Sequence, residues 1–138
     1  MDESQARIAF ENAIQTYRQD FNTFFLARLF GMSVEYGETS CTVTMPIRDF
    51  MYNPQGSLHG GITATLLDIS MGHLLKHHVG AGATLEMNIQ YMRAAREGTL
   101  TACSHFMRKG RQISFLQSTV SDESGALVAS ATSIWKVL

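Results

Sequence analysis

The chain has few cysteines, almost no net charge and no long apolar run, and each scarcity excludes a class of protein. Cys41 and Cys103 are the only cysteines, and they show neither the spacing of a metal site nor a disulfide framework. The formal net charge of −1 gives no electrostatic reason to expect nucleic acid binding. Apolar runs are too short to span a bilayer. We therefore expect no metal, no nucleic acid partner and no membrane association.

The N-terminus shows no recognisable targeting segment. Residues Met1 to Gln5 contain neither the basic nor the apolar region of a secretory signal peptide. Two isolated thiols fit a reducing compartment, so a cytoplasmic location is expected. At 138 residues, of which 45% are hydrophobic, the chain is long enough to form one domain with a substantial core.

Hydrophobic periodicity predicts two clear helices and six strands. Apolar residues recur at helical spacing in residues 4–19 and again in 60–76, where the segment is apolar nearly all round and is expected to be buried on most sides. Residues 22–30 are a shorter apolar segment, either a short helix or the approach to the first strand. Alternating patterns predict strands at 32–36, 41–45, 85–91, 100–106, 113–119 and 127–137, with turns at 37–39, 109–110 and 122–125.

This order of elements predicts an α+β fold. Consecutive strands joined by tight turns are antiparallel, and a sheet of this size needs one face covered. The apolar helix at 60–76 is the only candidate for that cover. We therefore expect an antiparallel sheet wrapped around one long central helix. Residues 1–30 are expected to form an N-terminal helical extension packed on a domain of residues 31–138.

The most informative segment is a polar, glycine-rich loop that leads directly into the long helix. It begins at Asn53 and ends with the tripeptide His59-Gly60-Gly61, and Asp68 follows about two turns inside the helix. A helix N-terminus offers unpaired N–H groups and the positive end of the helix dipole. A buried carboxylate needs a partner or a function. Together these features indicate a site that polarises a carbonyl group and supplies a base nearby.

With this layout the chain resembles the hotdog-fold thioesterases, in particular the subgroup that includes the bacterial phenylacetic-acid-pathway thioesterase and the mammalian thioesterase superfamily member 2. The asparagine lies six residues before the histidine, and the aspartate lies nine after it. Further matching pieces are the segment 86–92, the turn at 109–111 and the strand around 129–131. The resemblance covers roughly residues 30 to 138.

The resemblance implies an acyl-CoA thioesterase with four functional positions. They are the loop amide Asn53, the backbone N–H of Gly60, the acid Asp68 and a hydroxyl at Thr84, whose placement depends on the length of the preceding loop. His59 is expected to orient the loop, and no serine elbow supports a triad through it. Gly60 would bind the oxyanion of a thioester. Asp68 would act as general base or as nucleophile.

The resemblance also implies a CoA site and a dimer. Basic residues in this part of the family often bind CoA phosphates, and the candidates here are Arg93, Arg96, Lys109, Gly110 and Arg111. Alternatively, these residues have no ligand and simply lie in solvent at the end of a hairpin. Gly61 is expected to serve helix packing more than catalysis, although it lies beside the substrate. The family forms its site across a dimer interface, so we expect a homodimer that pairs further into a dimer of dimers, and no cofactor beyond the acyl-CoA substrate.

Other functions remain open at this stage. A hotdog hydratase or dehydratase pairs an aspartate with a histidine about five residues on, but Asp49 lies ten residues before His59. A non-catalytic acyl-CoA binder would have no need of Asp68, although that residue could instead pair across a dimer interface. His73 and His77 have the spacing of a metal pair, but no acidic motif accompanies them. The sequence does not identify the acyl group.

Overall fold

The computed structural model describes all residues, 1–138, and contains three α-helices and six strands. The helices are α1 (Glu3–Thr16), α2 (Phe25–Leu29) and α3 (Gly60–His78), and a single 3₁₀ turn lies at Asp49–Met51. The strands are β1 (Ser33–Tyr36), β2 (Ser40–Pro46), β3 (Gly82–Tyr91), β4 (Thr99–Arg108), β5 (Ile113–Ser121) and β6 (Leu127–Val137). All six predicted strands are therefore present, and the long helix extends two residues beyond its predicted end.

The strands form one antiparallel sheet in the order β1-β2-β4-β5-β6-β3. The predicted hairpins β1–β2, β4–β5 and β5–β6 are confirmed by their pairing. The expectation that all of the last four strands are joined by short turns is wrong for β3. The segment 92–98 carries the chain from one edge of the sheet to its centre, because β3 pairs with β6 and β4 pairs with β2.

Helix α3 lies against the inner face of the curved sheet, as its all-round apolar pattern predicts. Leu66, Leu67, Met71, Leu74 and Leu75 are fully buried. They pack against the inward-facing apolar side chains of the central strands in a single core cluster. Burying each such side chain contributes about 1.5–3 kcal/mol, so this contact fixes the helix on the sheet. None of the helices is both long and apolar enough to cross a bilayer.

The N-terminal helix contacts the rest of the molecule on a narrow side. Ala13 is the only buried residue of α1, and Phe10, Ile14 and Tyr17 remain 43–49% exposed. Helix α1 packs mainly on α2, and the ring of Phe10 meets that of Phe25 edge-on at 5.8 Å. The connection between these two helices lies near one end of α3 and supplies side chains to the cavity described below.

Candidate active site

The start of α3 leaves one backbone N–H without an acceptor. The side chain of His59, the residue that caps the helix, accepts a hydrogen bond at Nδ1 from the Gly61 N–H at 2.9 Å. The next two N–H groups, of Ile62 and Thr63, both donate to the carbonyl of His59. The N–H of Gly60 donates to no group of the chain. It therefore offers a donor at the positive end of a 19-residue helix.

The loop before the helix is organised by Asn53. Its Oδ1 accepts hydrogen bonds from the backbone N–H of Gln55 at 3.0 Å and of Ser57 at 3.2 Å, and its Nδ2 donates to Ser57 Oγ at 3.1 Å. Both polar ends of the side chain are thus used inside the loop, in the manner of an asparagine turn. In a single chain Asn53 acts as the residue that shapes the loop beside Gly60.

Tyr91, at the end of β3, covers the start of the helix. Its hydroxyl donates to the carbonyl of Gly60 at 2.8 Å, and a Cβ at position 60 would lie 3.5 Å from the tyrosine ring. A cavity of about 340 Å³ opens here, lined by the loop, the helix start and the end of β3 with Asn53, Gly60, Tyr91 and Arg93 among its residues. This tyrosine contact was not predicted, because the sequence pattern does not show that β3 pairs with β6 at the edge of the sheet.

Asp68 and Thr84 meet about two turns further along the helix, near the start of β3. Thr84 Oγ1 donates to Asp68 Oδ1 at 2.7 Å. Burial raises the pKa of the Asp68 carboxyl above its usual range, and the hydrogen bond from Thr84 partly offsets this by favouring the ionised form. The pairing register of β3 on β6 shifts between Thr84 and Glu86, so a bulge lies next to the threonine. Bulges commonly redirect a side chain beside a functional site.

A second, mostly apolar cavity has Asp68 in its wall. Its volume is about 180 Å³, and its lining residues are Phe21, Phe24, Asp68, Ile69, Gly72, His73, Gly82 and Trp135. Burial lowers the pKa of His73, and Tyr36 Oη lies 2.8 Å from its Nδ1. His77 stacks on the same tyrosine ring at 4.1 Å. The two histidines of the possible metal pair are thus both engaged with Tyr36, and the structure contains no group of three or more potential metal ligands.

Within one chain the donor and the acid are far apart. Gly60 and Asp68 are separated by eight helical residues, which corresponds to about 12 Å along the axis and roughly 80° around it. Each lines its own cavity. A single substrate carbonyl therefore cannot reach both groups of the same chain.

The basic residues expected to bind CoA are dispersed over the sheet. Arg93 follows the end of β3 near Gly60, where it lies 4.0 Å from Asp122. Lys109 and Arg111 lie in the β4–β5 turn, just before β5 begins. The start of β5 is level with the start of β3, so this turn lies at the opposite end of the sheet from Arg93, which follows the end of β3. The N–H of Gly110 donates to Ser114 Oγ at 3.0 Å, so it is not free for a phosphate. One chain does not assemble these residues into one phosphate site.

The antiparallel sheet curved over a single long helix, with an open donor at the helix start and a half-buried carboxylate two turns later, defines a hotdog-fold protein. Comparisons with known proteins agree. The family model described as the thioesterase superfamily matches residues 55–129. Human acyl-coenzyme A thioesterase 13 is 33% identical over 108 residues, which cover 75% of this chain and 76% of the human protein. The chain belongs to the thioesterase superfamily.

Solved structures extend the likeness to nearly the whole chain. The BH2602 protein of Bacillus halodurans, solved with CoA, has a TM-score of 0.90 at 27% identity and covers 99% of this chain and 93% of that one. The PaaI protein from the phenylacetic acid degradation operon of Escherichia coli has a TM-score of 0.80 at 23% identity, covering 96% and 95%, and supports the fold. Aligned segments span 64% to 76% of the length of curated relatives at about one-third identity.

Proposed function

We propose that this protein hydrolyses acyl-CoA thioesters to a free acid and CoA. One observation carries the proposal: α3 presents an unpaired N–H at its start and a carboxylate held by a threonine hydroxyl two turns later. The first group can bind an oxyanion, and the second can activate water or attack the carbonyl. The names of the relatives, including human acyl-coenzyme A thioesterase 13, and the CoA in the Bacillus halodurans structure support this choice of substrate.

The reaction needs both groups at one carbonyl. Water, deprotonated by Asp68, adds to the thioester carbon, and the negative charge that develops on the carbonyl oxygen is stabilised by the N–H of Gly60. The carbon–sulfur bond then breaks, and the proton taken by Asp68 passes to the leaving thiolate. In the nucleophilic alternative Asp68 itself adds to the carbon, and the CoA thiolate leaves as the carbon–sulfur bond breaks, which gives a mixed anhydride. Water then hydrolyses the anhydride, which regenerates the Asp68 carboxylate, releases the acid and supplies the proton taken up by the thiolate. Thr84 orients the carboxylate in both cases.

A second copy of the chain supplies the missing half of the site in this proposal. Strand β3 is an edge strand of ten residues with a free row of backbone groups, and Leu85 and Tyr91 on it are more than half exposed. A two-fold axis that pairs the β3 edges antiparallel places the end of one strand beside the start of the other. Gly60 lies at the end of β3 and Asp68 near its start, so each carbonyl would meet Gly60 of one subunit and Asp68 of the partner subunit.

The activity is tested with Asp68→Asn. The amide is nearly isosteric, can still accept from Thr84 and cannot act as a base, so we expect the variant to fold and to lose hydrolysis by orders of magnitude. Thiol release from a panel of acyl-CoA thioesters measures the rate, and thermal unfolding followed by circular dichroism checks the fold. Turnover close to that of the parent protein would remove Asp68 from the mechanism.

The shared site is tested with differently tagged heterodimers. Gly60→Pro removes the donor and Asp68→Asn removes the acid, so each homodimer is expected to be inactive. A heterodimer with one copy of each would contain one site with both defects and one intact site, giving about half the parent activity per dimer. Tagged Asp68→Asn homodimers are the control. An inactive heterodimer of correct mass, or an active monomer of 15.3 kDa in light scattering, would contradict the shared site.

The positions of the basic residues fit such a dimer better than a monomer. The same two-fold pairing brings Arg93 of one subunit to the sheet end that carries Lys109 and Arg111 of the partner subunit, where phosphates of one CoA could meet both. Further pairing of dimers into a tetramer is part of the proposal and would be seen as a fourfold mass. Sedimentation velocity at micromolar protein distinguishes the two assemblies.

A further inference from the structure

One wall of the apolar cavity next to Asp68 is a tryptophan that is fixed in place. Trp135 is only 4% exposed. Its Nε1 donates to Ser133 Oγ at 2.7 Å, and the serine in turn donates to Met71 Sδ at 3.0 Å. The indole is therefore held both by packing and by a hydrogen bond, and it cannot swing out of the cavity without leaving its N–H unpaired in the core.

Gly72 leaves room for this indole because it has no side chain. A Cβ at position 72 would lie 3.0 Å from Cη2 of Trp135, which is tighter than ordinary van der Waals contact, and 3.4 Å from its Cζ3. Gly72 is one helical turn after Asp68, on the same face of α3 and about 6 Å along the axis. The indole therefore contacts α3 one turn beyond the carboxylate, where it forms part of the cavity wall.

The cavity is small and partly open to solvent. Its volume is about 180 Å³, close to the roughly 150 Å³ of an engineered apolar cavity that binds benzene. Phe21, Phe24 and Ile69 make the remaining walls largely apolar. A thioester carbonyl placed at Asp68 would extend its acyl group into this space, because the nucleotide end of CoA carries phosphates and has to remain in solvent.

We infer that Trp135, seated on Gly72, sets the length limit of the acyl group, and that the substrates are compact acyl thioesters with one six-membered ring or a chain of about six carbons. This inference rests on the proposed thioester hydrolysis at Asp68. Longer chains would meet the face of the indole. A hydrophobic site that cannot accommodate one further methylene discriminates by tenfold or more, so the cut-off is expected to be steep.

Two substitutions move the tryptophan wall in opposite directions. Trp135→Leu shortens the side chain and deepens the cavity, so the chain length with the highest kcat/KM is expected to increase by two or more carbons. Gly72→Ala forces the indole further into the cavity, so activity on hexanoyl-CoA should fall at least tenfold relative to butanoyl-CoA. Val120→Ala is the matched control, because Val120 is fully buried in the same core but does not line the cavity. It should lower stability and leave the profile unchanged.

The experiment measures kcat/KM for a series of straight-chain acyl-CoA thioesters from butanoyl to dodecanoyl, with phenylacetyl-CoA as the ring. For the parent protein we expect a maximum near six carbons and a fall of at least tenfold by decanoyl. Equal rates on hexanoyl and dodecanoyl thioesters would overturn the inference. The inference would also be overturned if Trp135→Leu and Gly72→Ala both fold and both keep the parent dependence of kcat/KM on chain length.

Tryptophan fluorescence provides a readout that is independent of turnover. Trp135 is the only tryptophan, so emission reports on this wall alone. In the Asp68→Asn background, hexanoyl-CoA is expected to shift the emission, whereas CoA without an acyl group should shift it much less. Equal shifts with both ligands would place the acyl group elsewhere. Failure of the proposed function would look different, since no acyl-CoA would be hydrolysed or Asp68→Asn would remain active.

Discussion

Replacing Gly60 by proline is expected to remove one hydrogen-bond donor while preserving the fold. Gly60 is the first residue of α3, a position where proline is favoured because its missing N–H has no helical partner. The preceding residue, His59, is extended, with φ −62° and ψ 132°, and this ψ lies in the range that a residue before proline prefers. The cap from His59 to Gly61 does not involve the lost N–H.

The expected cost is therefore catalytic. Removing a single oxyanion donor lowers kcat by about 10²–10³, equivalent to roughly 2.7–4 kcal/mol of transition-state stabilisation. Gly60→Ala is the matched control, because it retains the N–H and its Cβ would lie at an ordinary 3.5 Å from the ring of Tyr91. The alanine variant is expected to retain activity within about tenfold of the parent, since the carbonyl has less room beside a methyl group.

The assay compares both variants and the parent protein on one acyl-CoA by thiol release, with circular dichroism melting as the check on folding. We expect kcat to decrease from the parent protein to the alanine variant and again to the proline variant, and the second decrease should be the larger. The unfolding temperatures of the three proteins should lie within a few degrees of each other. A folded proline variant that turns over as fast as the alanine variant would refute the assignment of the Gly60 N–H to the oxyanion.

Three further predictions concern other parts of the molecule. Thr84→Val removes the hydrogen bond that lowers the pKa of Asp68, so the acid limb of the kcat/KM profile should move to higher pH, and a pH–rate series in which it moves down or stays would contradict this. Arg111→Ala should raise KM for acyl-CoA with little change in kcat, but not for a short acyl-pantetheine thioester, and equal effects on both would separate the residue from the nucleotide. Leu66→Ala should lower the free energy of unfolding by about 2–5 kcal/mol in urea titrations, whereas a change below about 1 kcal/mol would show that Leu66 is not a core contact.

The long helix and most of the sheet were predictable because their hydrophobic patterns are local. The segment 60–76 is apolar nearly all round, and a helix of that kind has to be covered by a sheet. The hairpins β1–β2, β4–β5 and β5–β6 followed from turn residues between alternating segments. The partner of β3 did not follow, because the pairing of β3 with β6 is a contact between residues far apart in sequence and no turn encodes it.

The site was predictable in its residue types but not in its grouping. The loop, the helix start and Asp68 lie on a continuous stretch of chain. The structure places Thr84, which the resemblance proposed as the hydroxyl position, in contact with Asp68, and that contact itself was not predicted. The proposed roles depend on which elements lie at the same end of the sheet, and this concerns Asn53, Arg93 and the turn at 109–111. The pairing of β3 with β6 determines that arrangement. Tyr91 and Trp135 reach the site through the same pairing, so no local signal identified them.

The cavity beside Asp68 is formed by side chains from three regions of the chain. Gly72 and Gly82 lie within the segment 55–129 that matches the family, whereas Trp135 on β6 and the pair Phe21 and Phe24 in the connection between α1 and α2 lie outside that segment. A substitution in this connection reshapes one wall of the cavity and leaves the helix start, the carboxylate and the sheet edge untouched. Under the proposed mechanism, a change in this short peripheral segment would alter acyl preference without altering the residues assigned to the chemistry.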